Sequence, residues 1–229
     1  MATIVLDMSM SLDGFISGPQ DNPEHPLGLD GRRLHDWLAN GTGDPATYRP
    51  EGLSGEVFDE VMATGAVIAG RRTFDLAGGW NGDHHHGVPI FVPTRRPPDD
   101  PPRGAATITF VTDGIESAVT QAKAAAGDKN VLLHGAATAQ RCLRAGLLDE
   151  MEIHLVPVLL GQGRRLFDHL SADHIELELT RVVDAPGSPT STTTSARPET
   201  QLTGRADRPA RPWQRRVGPA SWLGRKEAP

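Results

Sequence analysis

Short apolar runs alternate with segments of helical periodicity along most of the chain, and this alternation restricts the fold more than any other feature. Thr3 to Met10 carries Ile4-Val5-Leu6 and then Met8. Similar runs follow at 66–69, 88–92, 107–111, 131–133, 152–160 and 175–183. Each is short enough for a buried strand and is bounded by Gly, Pro or Asp. Between them lie helical patterns at 32–39, 54–64, 72–76, 115–126 and 136–145. In the second of these, Ser54 is placed to cap the helix, and Val57, Phe58, Val61 and Met62 share one face. Strands separated by helices of about ten residues imply a mostly parallel sheet covered on both faces, an α/β fold. No strong helix separates 152–160 from 175–183, so the sheet is expected to finish antiparallel.

The sequence divides at about residue 187. The net charge of −6 splits into −11 over residues 1–187 and +5 over 188–229. The second segment holds six prolines and seven arginines, opens on a Ser/Thr run and shows no apolar period. Such a segment buries too little apolar area to offset its chain entropy, so disorder is expected. Residues 1–187 suit one domain, and with only 5% aromatics its core must be mainly aliphatic. The acidic body argues against nucleic acid as a partner. A stacking role for Trp213 and Trp222 in the basic tail is the minor alternative. No stretch reaches the roughly 20 apolar residues of a membrane span. The first twelve residues lack a basic region and a small-residue cleavage site. A single cysteine, Cys142, excludes an internal disulfide and suits a reducing cytoplasm.

Five places carry potential chemistry. Gly70-Arg71-Arg72-Thr73 lies where a strand passes through a tight turn into a helix, a geometry that presents free N–H groups to phosphate. It equally suits an ordinary turn with surface arginines. Thr94-Arg95-Arg96 follows another strand, and arginines beyond strand ends can grip a ribose 2′-phosphate or simply balance nearby Asp99 and Asp100. His134-Gly135-Ala136-Ala137-Thr138 offers small residues for close approach of a diphosphate, or for helix packing. Asp13, just past the first strand, is a candidate for substrate contact or proton transfer, although Asp-Gly is also a common turn. In Asp83-His84-His85-His86, adjacent imidazoles do not converge on one ion, so a solvated loop and no metal site are expected.

In their order, Met10–Ile16, Gly70–Phe74, Thr112–Ile115, Gly146–Glu150, Val156–Gly161 and Arg165–Phe167 resemble the dihydrofolate-reductase-like family, which includes the C-terminal reductase domain of bacterial bifunctional riboflavin deaminase-reductases. The resemblance covers about residues 2–187. It implies a three-layer dihydrofolate-reductase-like fold and NADPH bound across the strand ends. Gly70, Arg71, Arg72 and Thr73 would hold phosphate, and Thr94 and Arg95 would lie near the 2′-phosphate. Gly135, Ala136, Ala137 and Thr138 would hold the diphosphate and nicotinamide side, with Asp13 facing the substrate. The implied reaction is hydride transfer to a pterin-like or 5-amino-6-(ribosylamino)uracil-type heterocycle, by an enzyme that pairs as a homodimer.

Two departures bear on activity. His134 stands where the family carries a second glycine, and Gln162 interrupts a glycine run. A non-catalytic nucleotide-binding or partner-binding relative is therefore the alternative. The family's final strand is replaced by the Ser/Thr run after Gly187. GC-rich codons exist that encode this run and, with one nucleotide restored, encode Val-Thr-His-Leu-His-Tyr-His-Val-Arg, a well-formed alternating strand. The tail is accordingly expected to derive from a shifted reading frame, which sequencing the gene decides. Residues 190–194 retain enough β propensity to pair in the missing strand's place.

Overall fold

The computed structural model describes residues 2–38, 48–168, 170, 174–184, 190–195 and 214–217. Its centre is a nine-stranded sheet. In chain order its strands are β1 (Ile4–Ser11), β3 (Ala66–Ala69), β4 (Ile90–Pro93), β5 (Ile108–Val111), β6 (Val131–His134), β7 (Glu150–Val156), β9 (Glu178–Asp184), β10 (Thr190–Ser195) and β11 (Gln214–Val217). Two short strands, β2 (Phe15–Ser17) and β8 (Arg164–Arg165), form a separate antiparallel pair. The helices are α1 (Gly52–Met62), α2 (Arg71–Leu76), α3 (Ile115–Ala126) and α4 (Ala136–Arg144).

The sheet order is β11-β9-β10-β7-β1-β6-β3-β4-β5. From β7 to β5 every neighbouring pair is parallel, whereas β10 runs antiparallel to both β7 and β9. The architecture is the expected three-layer dihydrofolate-reductase-like fold, mostly parallel with an antiparallel finish.

The core divides between the two faces of the sheet. One face presents Ile4, Leu6, Ile68, Leu133, Met151 and Ile153, which pack in one cluster with the small residues of α3 and α4. Ala118, Ala122 and Ala139 are fully buried there and allow the helices a close approach. Cys142 lies in the same layer, and burial pushes its thiol up to about 12, so it acts as a small apolar residue. The other face presents Val67, Ala69, Ile90, Val92 and Leu132, covered by Phe74 of α2 with Val61 and Trp80.

Several local expectations need correction. Helix α1 begins at Gly52, with Glu51 before it and no side-chain cap; Ser54 is a buried residue inside the helix. The segment at 31–38 is a 3-10 helix. Strand β7 ends at Val156 and the chain then turns, because Val158 N–H bonds back to the Val156 carbonyl. Within the basic tail, Thr190–Ser195 inserts between β7 and β9, and Gln214–Val217 pairs with β9. The other tail residues lie outside the described ones, so the expectation for them stands untouched. Strand β10 thus occupies an interior place in the sheet with hydroxyl side chains, and the Thr194 hydroxyl is buried without a partner among the described residues.

Candidate active site

Chain direction brings β1, β6, β3 and β4 to one carboxyl-terminal edge, and helices α2 and α4 begin there side by side. Ala69 of β3 pairs with His134 of β6, so the turns after these strands adjoin. The Gly70 N–H donates to the His134 carbonyl at 3.0 Å. A Cβ on Gly70 would lie 2.7 Å from the Thr138 hydroxyl oxygen. One on Gly135, whose φ is +99°, would lie 2.6 Å from that of Thr73. Both glycines are therefore required by the mutual packing of the two helix starts. Thr138 is spent on that packing and is 2% exposed. Neither helix has a side-chain cap, so nothing from the capping residue occupies the first-turn N–H groups.

Two cavities open at this edge. The larger, about 380 Å³, lies between the α1-side face of the sheet and a wall of apolar residues from 57–62, 76–80 and Trp37. Thr73 and Arg72 reach it. The smaller, about 340 Å³, is bounded by Ala136, Ala137, Gln140 and the loop from Gln162 to Arg165. Asp21 and Arg164 border both. Arg72 grips the Asp21 carboxylate at 2.7 and 3.1 Å, and Arg164 reaches it at 3.5 Å. Burial works to raise the Asp21 pKa, but the Arg72 hydrogen bond and charge outweigh it and hold it below the ordinary value. A carboxylate thus sits between two arginines beside an uncapped helix start, so the surroundings already suit an anion. These residues fit the phosphates of a dinucleotide.

The floor of the larger cavity is polar, and sequence reading missed it. Asp7 and Ser9 of β1 and His154 of β7 project from the sheet face opposite Ile4 and Leu6. The His154 Nε2 lies 2.7 Å from Asp7 Oδ2. Burial opposes charge on both groups, yet their mutual attraction wins, lowering Asp7 and raising His154, so they form an ion pair. Trp37 donates its indole N–H to Ser9 at 3.0 Å and lays its ring 4.6 Å from that of His154. Beside them, burial and the Asp7 charge push Glu152 up to about 7. Its Oε1 is buried without a partner among the described residues.

The histidine run also departs from expectation. His86 is exposed, but His85 is buried and His84 turns inward onto Trp80, with ring centroids 4.6 Å apart. His84 stacks on His134 with their Nε2 atoms 3.2 Å apart, and its Nδ1 lies 2.7 Å from that of His85. His134 Nδ1 lies 3.1 Å from the Asp7 carbonyl. A carbonyl only accepts, so this nitrogen carries the proton. Burial lowers the pKa of all three imidazoles. When neutral they form a directed chain, in which His85 donates to His84 and His84 to His134. The signal that could have found this network was the polar alternation Asp7, Ser9 in β1 and Glu152, His154 in β7.

The remaining sequence candidates are dispersed. Asp13 lines neither cavity. Its carboxylate accepts from the Ser11 hydroxyl at 2.6 Å and from the N–H groups of Leu160 and Gly161 at 3.1 and 2.7 Å. The Ser11 bond, with the two amides, outweighs desolvation and holds it down at about 2. Asp13 therefore ties the first turn to the loop after β7. Arg71 bonds Asp75 and the Arg96 carbonyl, linking the ends of β3 and β4. Thr94 bonds the Arg96 backbone, and Arg95 is exposed beyond them. Gly135, Gly70 and Thr94 thus follow the ends of adjacent strands β6, β3 and β4. Among the described residues no group of three or more His, Cys, Asp or Glu side chains could hold a metal ion, and no helix is long and apolar enough to cross a membrane.

The model of the RibD C-terminal domain family matches residues 2–186. The chain belongs to this family. A relative of Bacillus subtilis, the uncharacterized protein YyaP, is 25% identical over 178 residues, covering 72% of this chain and 79% of its own. A putative riboflavin biosynthesis protein of Shewanella sp. PV-4 shares the fold with a TM-score of 0.63 at 23% identity, over 86% of this chain and all of that one. The Thermotoga maritima diaminohydroxyphosphoribosylaminopyrimidine deaminase/5-amino-6-(5-phosphoribosylamino)uracil reductase gives a TM-score of 0.57 at 12% identity, over 85% of this chain. This chain spans 56% of the length of that protein.

Proposed function

We propose that this family member is an NADPH-dependent reductase of a heterocyclic C=N or C=O bond, of the pterin-like or 5-amino-6-(ribosylamino)uracil type. The observation that carries the reading is the pair of adjoining, uncapped helix starts at Gly70 and Gly135, opening onto two cavities that share the Arg72–Asp21–Arg164 cluster. The first-turn N–H groups of α4, with Ala136 and Ala137 leaving the backbone accessible, would receive the diphosphate. Thr94 and Arg95 would receive the 2′-phosphate, one strand beyond Gly70. When bound, NADPH supplies the hydride.

The chain's own residues do the rest. Trp37 and the apolar wall exclude water from the larger cavity and strengthen polar contacts inside it. The Asp7–His154 ion pair keeps a protonated imidazole at the cavity floor, placed to offset negative charge on a substrate heteroatom as it takes up a proton. His134 is turned onto the Asp7 carbonyl and His84, so its ring forms part of the cavity wall.

Nicotinamide fluorescence tests the reading. NADPH is expected to bind at least about tenfold tighter than NADH, a preference worth ~1.4 kcal/mol, and Arg95→Ala should erase it. Equal binding of both cofactors, unaffected by Arg95→Ala, would remove the 2′-phosphate assignment. No binding of either would favour the non-catalytic alternative.

A further inference from the structure

Thr64, His85, His84 and His134 form a row from the end of α1 to the Asp7 carbonyl, and the row meets an acceptor at each end. The Thr64 hydroxyl donates its single proton to the Val61 carbonyl at 2.9 Å. Toward His85 Nε2, 3.4 Å away, its oxygen therefore only accepts. At the other end the Asp7 carbonyl accepts from His134 Nδ1. Four contacts thus each need one proton from an imidazole, and three neutral imidazoles supply three. Counting from His134 Nδ1, the other two protons fall on His84 Nε2 and His85 Nδ1. The Thr64–His85 contact is left without one. It is the longest of the four, in keeping with two facing lone pairs.

A first added proton has a place waiting at His85 Nε2, next to the exposed His86, and it completes every contact. A second must go to His84 Nδ1 or His134 Nε2, each already facing a hydrogen, and it parts the row. The loop that carries the row is strained. Trp80, Asn81 and His86 have φ of 49°, 52° and 49°, in the left-handed region that L side chains rarely adopt. Trp80 and His84 both line the larger cavity and meet edge to face. Around the row, Asp83 and Asp7 favour its charging, His86 and His35 oppose it, and His154 balances Asp7. Burial opposes charge on all three rings, so both steps fall below pH 6.5. We infer that Thr64, His85 and His84 are positioning residues, a proton-counting latch that fixes His134 and Trp80 as walls of the larger cavity. The latch holds through one added proton and opens on the second. It goes beyond the reductase reading and does not depend on it.

The test uses the full chain with 15N-labelled histidine, read by two-bond 1H–15N spectra and assigned with single-histidine variants. At about pH 7.5, His134 and His85 are expected to carry their proton on Nδ1 and His84 on Nε2. On acidification His85 should charge first. Thr64→Val removes the acceptor that the charged ring needs, and should move that step down by about one pH unit. The second step should coincide with faster hydrogen exchange in residues 78–87 while the interior of α3 stays protected. At neutral pH, His84→Phe should raise exchange in 78–87 by about tenfold. His84→Gln, whose amide can still donate to His134, should raise it less. A different tautomer pattern, or a first step indifferent to Thr64→Val, would overturn the inference. So would exchange that rises in α3 together with 78–87, or equal exchange in wild type and His84→Phe. Nicotinamide fluorescence at each pH addresses the other claim: absence of NADPH binding counts against the reductase reading and leaves the latch standing.

Discussion

The two faces of the central sheet are made by the same strands, yet they do different work. Toward α3 and α4, alternate residues of β1, β6 and β7 are Ile4, Leu6, Leu133, Met151 and Ile153, an aliphatic layer closed by alanines. Toward α1 and Trp37, the intervening residues include Asp7, Ser9, His134, Glu152 and His154, most of them buried, alongside apolar Val5 and Leu132. Strand alternation makes this division possible, because neighbouring residues point to opposite faces. One face supplies burial energy, and the other can then hold charged groups that a uniformly apolar sheet would exclude. The cavity assigned to the substrate opens on the second face only.

This contrast can be broken from either side. The largest effect is expected on the polar face. His154→Leu leaves the Asp7 carboxylate buried and unpaired, and should cost about 3–5 kcal/mol in urea unfolding. Asp7→Asn/His154→Leu together should recover part of that loss. If the double variant is as unstable as the single one, the pair is not what holds the two strands' polar side. On the apolar face, Leu133→Ala should cost about 3 kcal/mol through lost burial and a residual cavity, with a penalty that changes little with pH.

The pH response sharpens the difference. His35, His84 and His134 have folded pKa values below the ordinary 6.5, because burial disfavours their charged forms. Their contribution is present above pH 6.5 and is lost as pH falls, for His35 down to about 4. Asp7, also lowered, gives up its contribution as pH falls below its ordinary 3.8. His154 behaves oppositely: its folded pKa is raised, so its contribution is full below 6.5 and disappears as pH rises through the folded value. Glu152, pushed up to about 7, likewise favours folding least once it ionises. Wild-type melting temperature should therefore decline on acidification from pH 6.5 toward 4, and His35→Phe should flatten that decline. An unchanged slope would place the acid sensitivity elsewhere.

Smaller changes test individual groups. Asp21→Asn removes the carboxylate that competes for Arg72 and Arg164, and should tighten NADPH binding by a few-fold, about 1 kcal/mol or less. Weaker binding would mean that Asp21 positions the arginines instead of competing for them. Thr194→Val removes the unpartnered buried hydroxyl of β10 and should stabilise by about 1 kcal/mol. Destabilisation there would show that the hydroxyl has a partner.

Legibility in the sequence followed the same division. Continuous apolar runs such as Ile4-Val5-Leu6 and Val131-Leu132-Leu133 identified β1 and β6, and ordered motifs such as Gly70–Phe74 identified the family. The polar floor was not legible, because Asp7 lies far in sequence from Glu152 and His154 and only the β1–β7 register brings them together. Asp13 was singled out for its position after a strand, and the structure adds three donors to its carboxylate, from Ser11, Leu160 and Gly161. His84 and His85 misled because adjacent imidazoles read as a loop, whereas contact with Trp80 and His134 turns two of them inward. The glycines at 70 and 135 were singled out for phosphate, and the structure gives each an immediate packing cause in Thr138 and Thr73.

The most direct test of the account is hydrogen exchange followed by mass spectrometry, with and without saturating NADPH. The account predicts slowed exchange in peptides covering residues 18–21, 70–73 and 134–138, with the interior of α3 unchanged. Binding of NADPH that protects none of these three segments would contradict it, because the strand-end edge at Gly70 and Gly135 would then not be the cofactor site.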